Sequence, residues 1–252
     1  MIRTENIFKA FASNEVLKGI TTEFFPGKTN LIIGRSGAGK TVLLKLLVGL
    51  LQPTSGTVWY GDTNFNELNK KQVRAIRMKV GMLFQGSALF DSMTVEQNIR
   101  FPLDMFTSMT RKEKEDRVNY CLERVNLEGV NDRYPSETSG GQQKRVGIAR
   151  AIVLRPEYLF CDEPNSGLDP KTAIVIDELI KDITEENNIT TVINTHDMNS
   201  VMEIGQNIVL LFQGKIAWRG NRDEVLHSDN EYIQDFIFAS PFLQRLRTAA
   251  LK

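Results

Sequence analysis

The sequence has few of the features that mark membrane-spanning, secreted or nucleic-acid-binding proteins. No apolar stretch approaches the ~20 consecutive residues that a transmembrane helix needs, and residues 1–9 contain no apolar core of a signal peptide. The formal net charge is +0, from 31 basic and 31 acidic residues, and no long basic run stands out. We therefore expect no nucleic acid partner, and any membrane role must come through another chain.

Cysteine is also scarce, with two in 252 residues. Cys121 shares helical spacing with apolar neighbours, and Cys161 ends an apolar run that is typical of a buried strand. Both thiols are therefore predicted to be reduced and structural, which weakly indicates a cytosolic protein. The length and the 41% hydrophobic content predict one domain with a sizeable buried core.

The most informative motif that is present is a complete phosphate-binding loop, which follows the apolar run 31–33. Its residues are Gly34, Arg35, Ser36, Gly37, Ala38, Gly39, Lys40 and Thr41. Glycines let the backbone wrap around phosphate, N–H groups at the following helix supply partial positive charge, and Lys40 adds a full charge. The hydroxyl of Thr41 suits Mg²⁺, so the motif predicts a nucleotide site with magnesium.

The rest of the chain alternates between strand and helix patterns. The first thirty residues alternate as strands do and predict an antiparallel edge, whereas leucines and valine over 43–51 predict a buried helix that the segment 52–56 ends. Later strands and helices follow one another, which implies a mostly parallel sheet. The runs 208–212 and 215–219 predict a closing hairpin.

Polar residues stand where several predicted strands end, the edge at which open α/β sheets bind ligands. Gln85 follows the run 78–84, and His196 follows the β-branched run 190–195. Asp162 and Glu163 follow the run 158–161. The carboxylate of Asp162 is suited to binding magnesium through water. The carboxylate of Glu163 is suited to orienting or deprotonating the water that attacks the terminal phosphate of a nucleotide. Two solvated acids and a structural histidine are the alternatives.

Between Gln85 and Ser139 the pattern becomes helical, with capping boxes at Thr94 and Thr110 that predict an inserted helical subdomain. Asp169 before proline predicts a helix N-cap. Phe11 has two open interpretations, stacking on adenine or packing in the core.

These motifs, in order, resemble the whole motif set of the ABC ATPase family. The set comprises the loop 34–41, Gln85, the signature Ser139, Gly140, Gly141 and Gln142, the acid strand 158–163, the loop 166–169 and His196. The resemblance implies an α/β P-loop NTPase fold with a mostly parallel sheet core, an antiparallel β edge and an inserted helical subdomain. It also implies ATP hydrolysis with Mg²⁺ in a head-to-tail dimer, where the signature of one copy closes the site of the other.

The same resemblance assigns roles to individual residues. It implies catalytic roles for Glu163, His196, Gln85 and Lys40, and magnesium binding by Thr41, Gln85 and Asp162. ATP binding falls to Phe11, the loop 34–41, the signature 139–142 and Asp169. Thr138 departs from the leucine that is usual before the signature serine, which puts only local packing in doubt.

The segment 85–95, with Asn98, Ile99 and 101–103, resembles the Mla-type (maintenance of lipid asymmetry) subgroup, as does Asn165. This implies a phospholipid transport ATPase between bacterial inner and outer membranes, held at the cytoplasmic face of the inner membrane by an integral membrane permease. The segment from Gln85 to about Leu103 would receive a helix of that permease. A small regulatory subunit and a lipid-binding subunit are further expected partners.

We expect a single ABC ATPase domain with a nucleotide-binding core at 1–85 and 156–228, a helical subdomain at 86–155 and a tail at 229–252. The tail carries an apolar helical pattern that either packs on its own domain or holds a second copy or a regulatory subunit. Two alternatives stay open for the function: transport of another solute in either direction, and a non-transport ABC ATPase. A pseudo-ATPase is disfavoured by the intact Lys40, Asp162, Glu163 and His196.

Overall fold

The computed structural model describes residues 1–238 and residue 245. The strands are β1 (Ile2–Phe11), β2 (Asn14–Phe24), β3 (Thr29–Ile33), β4 (Ser55–Tyr60), β5 (Thr63–Asn64), β6 (Val80–Leu83), β7 (Tyr158–Asp162), β8 (Thr190–Thr195), β9 (Asn207–Phe212) and β10 (Lys215–Gly220). The α-helices are α1 (Lys40–Leu47), α2 (Lys70–Arg77), α3 (Val95–Phe106), α4 (Arg111–Arg124), α5 (Gly140–Ile152), α6 (Pro170–Glu186), α7 (Met198–Ile204), α8 (Arg222–His227) and α9 (Glu231–Ile237).

The chain forms two compact units, of which the first contains residues 1–68 and the residues from 190 onward. This unit has an antiparallel sheet in the order β2–β1–β4–β5. It also has strands in the order β10–β9–β3–β8, in which β3 runs parallel to both neighbours and β10 closes an antiparallel hairpin. The predicted antiparallel N-terminal edge and closing hairpin are confirmed.

The centre of the first unit is β3, which has paired strands on both sides. Leu31, Ile32 and Ile33 are completely buried there. Such a continuous apolar run is typical of a parallel strand that is covered on both faces. The buried leucines of α1 lie next along the chain, so the phosphate-binding loop starts from a rigid strand and ends on a rigid helix.

The prediction that the helix after the loop continues to Leu51 is wrong, because α1 ends at Leu47. Gly49 adopts the left-handed region with φ of 71°, and the N–H groups of Leu50 and Leu51 then bond back to the carbonyl of Lys45. Leu50 is 52% exposed as a result. A side chain at Gly49 would collide with the ring of Phe65, so packing also requires glycine there.

The second unit contains residues 69–189. Its strands β6 and β7 pair in parallel, with Val80 opposite Tyr158. Helices α3 and α4 begin at Thr94 and Thr110, and both predicted capping boxes are formed. Asp169 caps α6 as predicted, since its carboxylate accepts from two backbone N–H groups of the first turn.

Helix α2 is an element that the periodicity did not predict, because none of its residues is buried. A capping box between Asn69 and Gln72 starts this helix, and the spacing Asn-x-x-Gln is the signal that identifies it in the sequence.

The beginning of the tail is helical, and Ile233 and Ile237 of α9 are buried in the first unit, while Tyr232 contacts the ring of Phe212. The continuation of the tail pattern, at 240–244 and 246, lies outside the described residues. In the part of the chain that the structure describes, no helix combines the length and the apolar character that crossing a bilayer requires.

Candidate nucleotide-binding and hydrolysis site

The phosphate-binding loop joins β3 to α1 in the first unit. Gly39 immediately precedes α1 with φ of 102°, and a Cβ at this position would lie 2.6 Å from Leu17 Cδ2. Glycine is therefore required by backbone conformation and by packing. The turn is tightened by a hydrogen bond of 3.1 Å from Ala38 N to Arg35 O.

Lys40 is the first residue of α1, and only 6% of it is exposed. Its ammonium lies over the loop and donates to Gly34 O at 2.8 Å and to Arg35 O at 3.3 Å. In this described stretch, no side chain caps α1 and no acidic residue lies in its first turn. The N-terminus of α1 and the ammonium of Lys40 therefore both lie at the loop, an arrangement that fits a polyphosphate.

Asn194 is a residue that the sequence analysis did not assign to the site. Its side-chain amide donates to Thr41 Oγ1 at 3.1 Å, and the residue is completely buried on β8. Parallel pairing places Asn194 opposite Ile32, near the end of β3 from which the loop starts. A buried amide in an otherwise apolar strand is the sequence signal that points to this residue.

His196 directly follows β8 and is exposed. Because Thr195 pairs with Ile33, His196 and Gly34 leave neighbouring parallel strands at the same edge. His227 is an exposed residue of α8 whose ring contacts the carbonyl of Asp223, as expected for a surface histidine.

Phe11 ends β1 and is 45% exposed, so the alternative that its ring packs in the core is wrong. The ammonium of Lys9 lies 5.0 Å from the centroid of the ring. An exposed aromatic face is compatible with stacking on a base.

In the second unit, Asp162 is the buried last residue of β7 and Glu163 follows it half-buried. Glu163 has φ of 48°, which is unusual for a residue with a side chain. Its carbonyl accepts from Ser166 N at 3.1 Å, which closes a turn directly after the strand. Such strained backbone is frequent at functional sites.

Gln85 is exposed after β6, and two contacts fix its position in the second unit. Its side-chain amide donates to Ser166 Oγ at 3.4 Å, in the loop before α6. Its carbonyl accepts from the ammonium of Lys144 on α5. Gln85 therefore connects the loop after β6 to the loop that follows the two acids.

The signature begins α5, and Ser139 is its N-cap. Ser139 Oγ accepts from Gln142 N at 3.3 Å, and the side chain of Gln142 accepts from Ser139 N at 2.9 Å, which completes a capping box. A Cβ on Gly141 would lie 2.7 Å from Thr172 Cγ2, so packing against α6 also demands glycine. Thr138 is accommodated locally, because its hydroxyl donates to Pro135 O at 2.7 Å.

Asp169 accepts hydrogen bonds from Lys171 N and Thr172 N at 3.1 Å each. The hydrogen bond from the Thr172 hydroxyl, together with these backbone donors, holds the pKa of the Asp169 carboxyl below its ordinary value. In the structure this carboxylate is therefore the N-cap of α6.

The expected site residues fall into two sets, one in each unit. The first unit brings together the loop 34–41 and Asn194, with His196 at the same strand edge. The second unit holds Gln85, Asp162, Glu163, Asp169 and the signature 139–142.

Comparison with known proteins identifies the family. The family model described as ABC transporter matches residues 17–166. The chain is 37% identical over 236 residues to the probable ribonucleotide transport ATP-binding protein mkl of Mycobacterium leprae, covering 94% of this chain and 68% of that protein. It is 39% identical over 237 residues to the methionine import ATP-binding protein MetN 2 of Oceanobacillus iheyensis, covering 92% and 69%. The chain thus spans about two thirds of the length of these relatives.

Solved structures agree with this result. The dimeric post-hydrolysis state of the ATP-binding cassette MJ0796 bound to ADP and Pi has a TM-score of 0.81 and 31% identity, over 88% of this chain and 99% of that one. The cbiO1 protein of Clostridium perfringens, part of the ABC transporter complex cbiONQ, has a TM-score of 0.84 and 29% identity, over 98% of each chain. The α/β P-loop ATPase fold is therefore confirmed. This chain belongs to the ABC transporter family and is an ATP-hydrolysing, ATP-binding subunit that uses ATP with Mg²⁺.

Proposed function

We propose that this subunit energises the transport of phospholipid between the inner and outer membranes of a bacterium. The observation that carries this proposal is the segment 85–103, whose sequence resembles the Mla-type subgroup and whose loop is held by the buried Asn98. Asn98 Oδ1 accepts from Phe90 N at 2.8 Å, and its amide donates to Phe90 O at 3.1 Å and to the carbonyls of Met93 and Thr94 at 3.0 Å each. A loop whose shape is set in this way presents a defined surface to a permease.

Exposed apolar side chains of the second unit support a permease contact. Phe84, Phe90, Met105 and Phe106 are each more than one third exposed. The ring of Phe90 also contacts that of Phe101, with centroids 5.0 Å apart. Exposed apolar surface is a feature of interaction sites. Under the proposal the chain lies at the cytoplasmic face of the inner membrane, bound there through the permease.

A second candidate is the import of a small solute, because the relatives named above are a ribonucleotide transport protein and a methionine import protein. The two candidates are separated by purifying the subunit with its permease in lipid vesicles. The phospholipid proposal expects ATP-dependent movement of labelled phospholipid, whereas the alternative expects uptake of methionine or ribonucleotide. Solute uptake without phospholipid movement would exclude the first candidate.

For the chemistry, we infer that the loop 34–41 grips the phosphates of ATP. Lys40 exchanges its carbonyl partners for phosphate oxygens, and backbone N–H groups surround the rest of the charge. Thr41 offers its hydroxyl oxygen to the metal, and the hydrogen bond from Asn194 orients that hydroxyl. Bound Mg²⁺ supplies neutralisation of phosphate charge.

The carboxylates and polar strand ends divide the remaining work. Asp162 holds the metal through water, and Gln85 completes the magnesium site. Glu163 takes the proton of the attacking water, and His196 contacts the terminal phosphate. Phe11 stacks on adenine. In this proposal the nucleotide-binding core comprises 1–85 and 156–228 and carries these residues. The helical subdomain comprises 86–155 and carries the signature 139–142, and the tail comprises 229–252.

Replacing Glu163 with Gln tests the proposed base. This change keeps the size of the side chain and removes its basicity, so we expect ATP turnover to fall by roughly a hundredfold or more while ATP binding persists. Glu157→Gln is the matched control, because this carboxylate of the same unit is exposed and forms an ion pair with Lys79 at the surface. Full turnover in Glu163→Gln would contradict the assignment.

We further propose that two copies pair head to tail, so that Ser139, its signature neighbours and Asp169 of one copy complete the site of the other. The serine hydroxyl and the N–H groups at the start of α5 would form a second anion clamp. A small regulatory subunit and a lipid-binding subunit complete the proposed assembly.

Mixing two inactive variants tests the shared site. Lys40→Ala disables the loop and Ser139→Arg disables the signature, so either variant alone is expected to be inactive. In a mixed head-to-tail pair one site combines both defects, and the other site has an intact Lys40 and an intact Ser139. Recovery of ATP turnover on mixing supports the shared site, whereas two variants that stay inactive together contradict it.

A further inference from the structure

The backbone directly after Gln85 adopts a conformation that needs external support. Ser87 and Ala88 have φ of 59° and 48°, in the left-handed region that residues with side chains rarely occupy. Each such residue is strained relative to ordinary conformations. Two in succession persist only where surrounding contacts over-determine the backbone.

These contacts come from two cations of the signature helix α5. The ammonium of Lys144 donates to Gln85 O, and the guanidinium of Arg150 donates to Ser87 O at 2.6 Å and to Ala88 O at 2.7 Å. Three of the four carbonyls of the segment 85–88 thus receive charge-assisted hydrogen bonds from one helix, and such bonds are stronger than neutral ones.

The helix is shaped to let the segment approach. Gly147 lies between the two cations in sequence, and a Cβ there would lie 2.7 Å from Leu83 Cδ1 and 3.5 Å from Ser87 Cβ. Lys144 and Ser87 are both buried. Burial also lowers the pKa of the Arg150 guanidinium.

We propose that Lys144 and Arg150 are positioning residues that fix Gln85 to the signature helix. Their two side chains, which we call the cation clamp, connect the residue that is proposed to complete the magnesium site with the helix that begins at Ser139. The inference rests on the proposed role of Gln85. It adds that a movement of α5 is transmitted to the backbone of Gln85 through these hydrogen bonds.

Arg150→Lys is the most informative substitution, because it keeps the positive charge but loses the planar fork that reaches two carbonyls at once. Arg117→Lys is a matched control. Arg117 also donates to two backbone carbonyls, those of Val153 at 2.9 Å and Ile152 at 2.8 Å, but these carbonyls belong to the end of α5 and not to the segment 85–88.

The first measurement is amide hydrogen exchange of the full-length chain. We expect exchange over residues 85–94 to accelerate about tenfold in Arg150→Lys and to stay unchanged in Arg117→Lys. Equal acceleration in both variants, or none in Arg150→Lys, would show that the clamp does not hold the segment and would overturn the proposal.

The second measurement is ATP turnover. Displacement of a catalytic group lowers the rate constant, so we expect kcat to fall by roughly tenfold to a hundredfold in Arg150→Lys, with the KM for ATP within about twofold of the original. Because the clamp acts through Gln85, Arg150→Lys should cost nothing further in a Gln85→Ala background.

The outcomes separate the hypothesis that Arg150 acts through Gln85 from the hypothesis that Gln85 is needed for catalysis. Additive losses in the double variant would show that Arg150 acts elsewhere and would overturn the coupling to Gln85. Full turnover in Gln85→Ala alone would instead contradict the proposed role of Gln85, and the hydrogen-exchange comparison would still decide whether the clamp exists.

Discussion

Asn98 offers a sharp test of the second unit, because one side chain holds the loop 90–94 through four polar contacts. The amide has two N–H groups to share among three carbonyls, so these contacts amount to three full hydrogen bonds; at about 0.5–1.5 kcal/mol for each, Asn98→Ala removes roughly 1.5–4.5 kcal/mol. Phe90 is exposed and water can replace part of these bonds, so we expect about 3 kcal/mol. For a chain of this size, that loss lowers Tm by about 6–12 °C.

Asn98→Asp distinguishes hydrogen bonding from shape. The carboxylate is nearly isosteric with the amide, but it replaces the donor to three carbonyls with an acceptor, and the residue is completely buried. We therefore expect Asn98→Asp to be less stable than Asn98→Ala at neutral pH.

Urea unfolding of the full-length variants measures both effects. Asn119→Ala is the control, since this amide is exposed and accepts a surface hydrogen bond from Asn131 at 2.8 Å. The change should alter stability by less than about 0.5 kcal/mol. The reasoning fails if Asn98→Asp is more stable than Asn98→Ala, or if Asn98→Ala costs no more than the control.

Three further predictions follow from individual contacts. Burial favours protonation of Asp104, but hydrogen bonds from Lys114 and Arg100 outweigh it and lower the pKa of Asp104 below 3.8. The stability that Asp104 contributes should be full above pH 3.8 and lost as the pH falls through the lowered pKa. The free energies of unfolding of the original chain and of Asp104→Asn should therefore converge in acid, and a difference that stays constant with pH would refute this. Burial raises the pKa of the Cys121 thiol to about 11 and also raises the pKa of the Cys161 thiol. A thiol reagent at about pH 8 should therefore label neither cysteine until urea unfolds the chain. Rapid labelling of the folded chain would contradict their burial. Tyr60→Phe should lower the free energy of unfolding in urea by about 1–2 kcal/mol, because the buried hydroxyl of Tyr60 donates to Leu47 O, at the end of α1, at 2.7 Å. The control Tyr120→Phe, at an exposed position, should have no measurable effect. Equal effects of the two changes would exclude this hydrogen bond as the cause.

Features that depend on a few adjacent residues were predictable from the sequence. The phosphate-binding loop is specified by eight consecutive positions, and the capping boxes at Thr94 and Thr110 by spacings of three. These patterns act through backbone conformation and local hydrogen bonds, so a short stretch of chain contains everything needed to recognise them. The capping box at Asn69 is equally local, because Asn69 and Gln72 are separated by three positions and can be recognised from the sequence.

Other features were decided by contacts between distant segments. The register between β3 and β8 brings Asn194 to Thr41. The ring of Phe65 packs against Gly49, shortly after the end of α1, where a side chain would collide with it. Likewise, the carbonyl of Ser87, whose backbone is strained, accepts a hydrogen bond from Arg150, which is far away in the chain. The sequence by itself determined the local motifs and thereby the ATPase family, since the atoms that form each motif are neighbours in the chain. Tertiary structure alone decided which side chains hold those motifs in place, because strand register and helix packing bring together residues whose separation hides the contact from any local pattern.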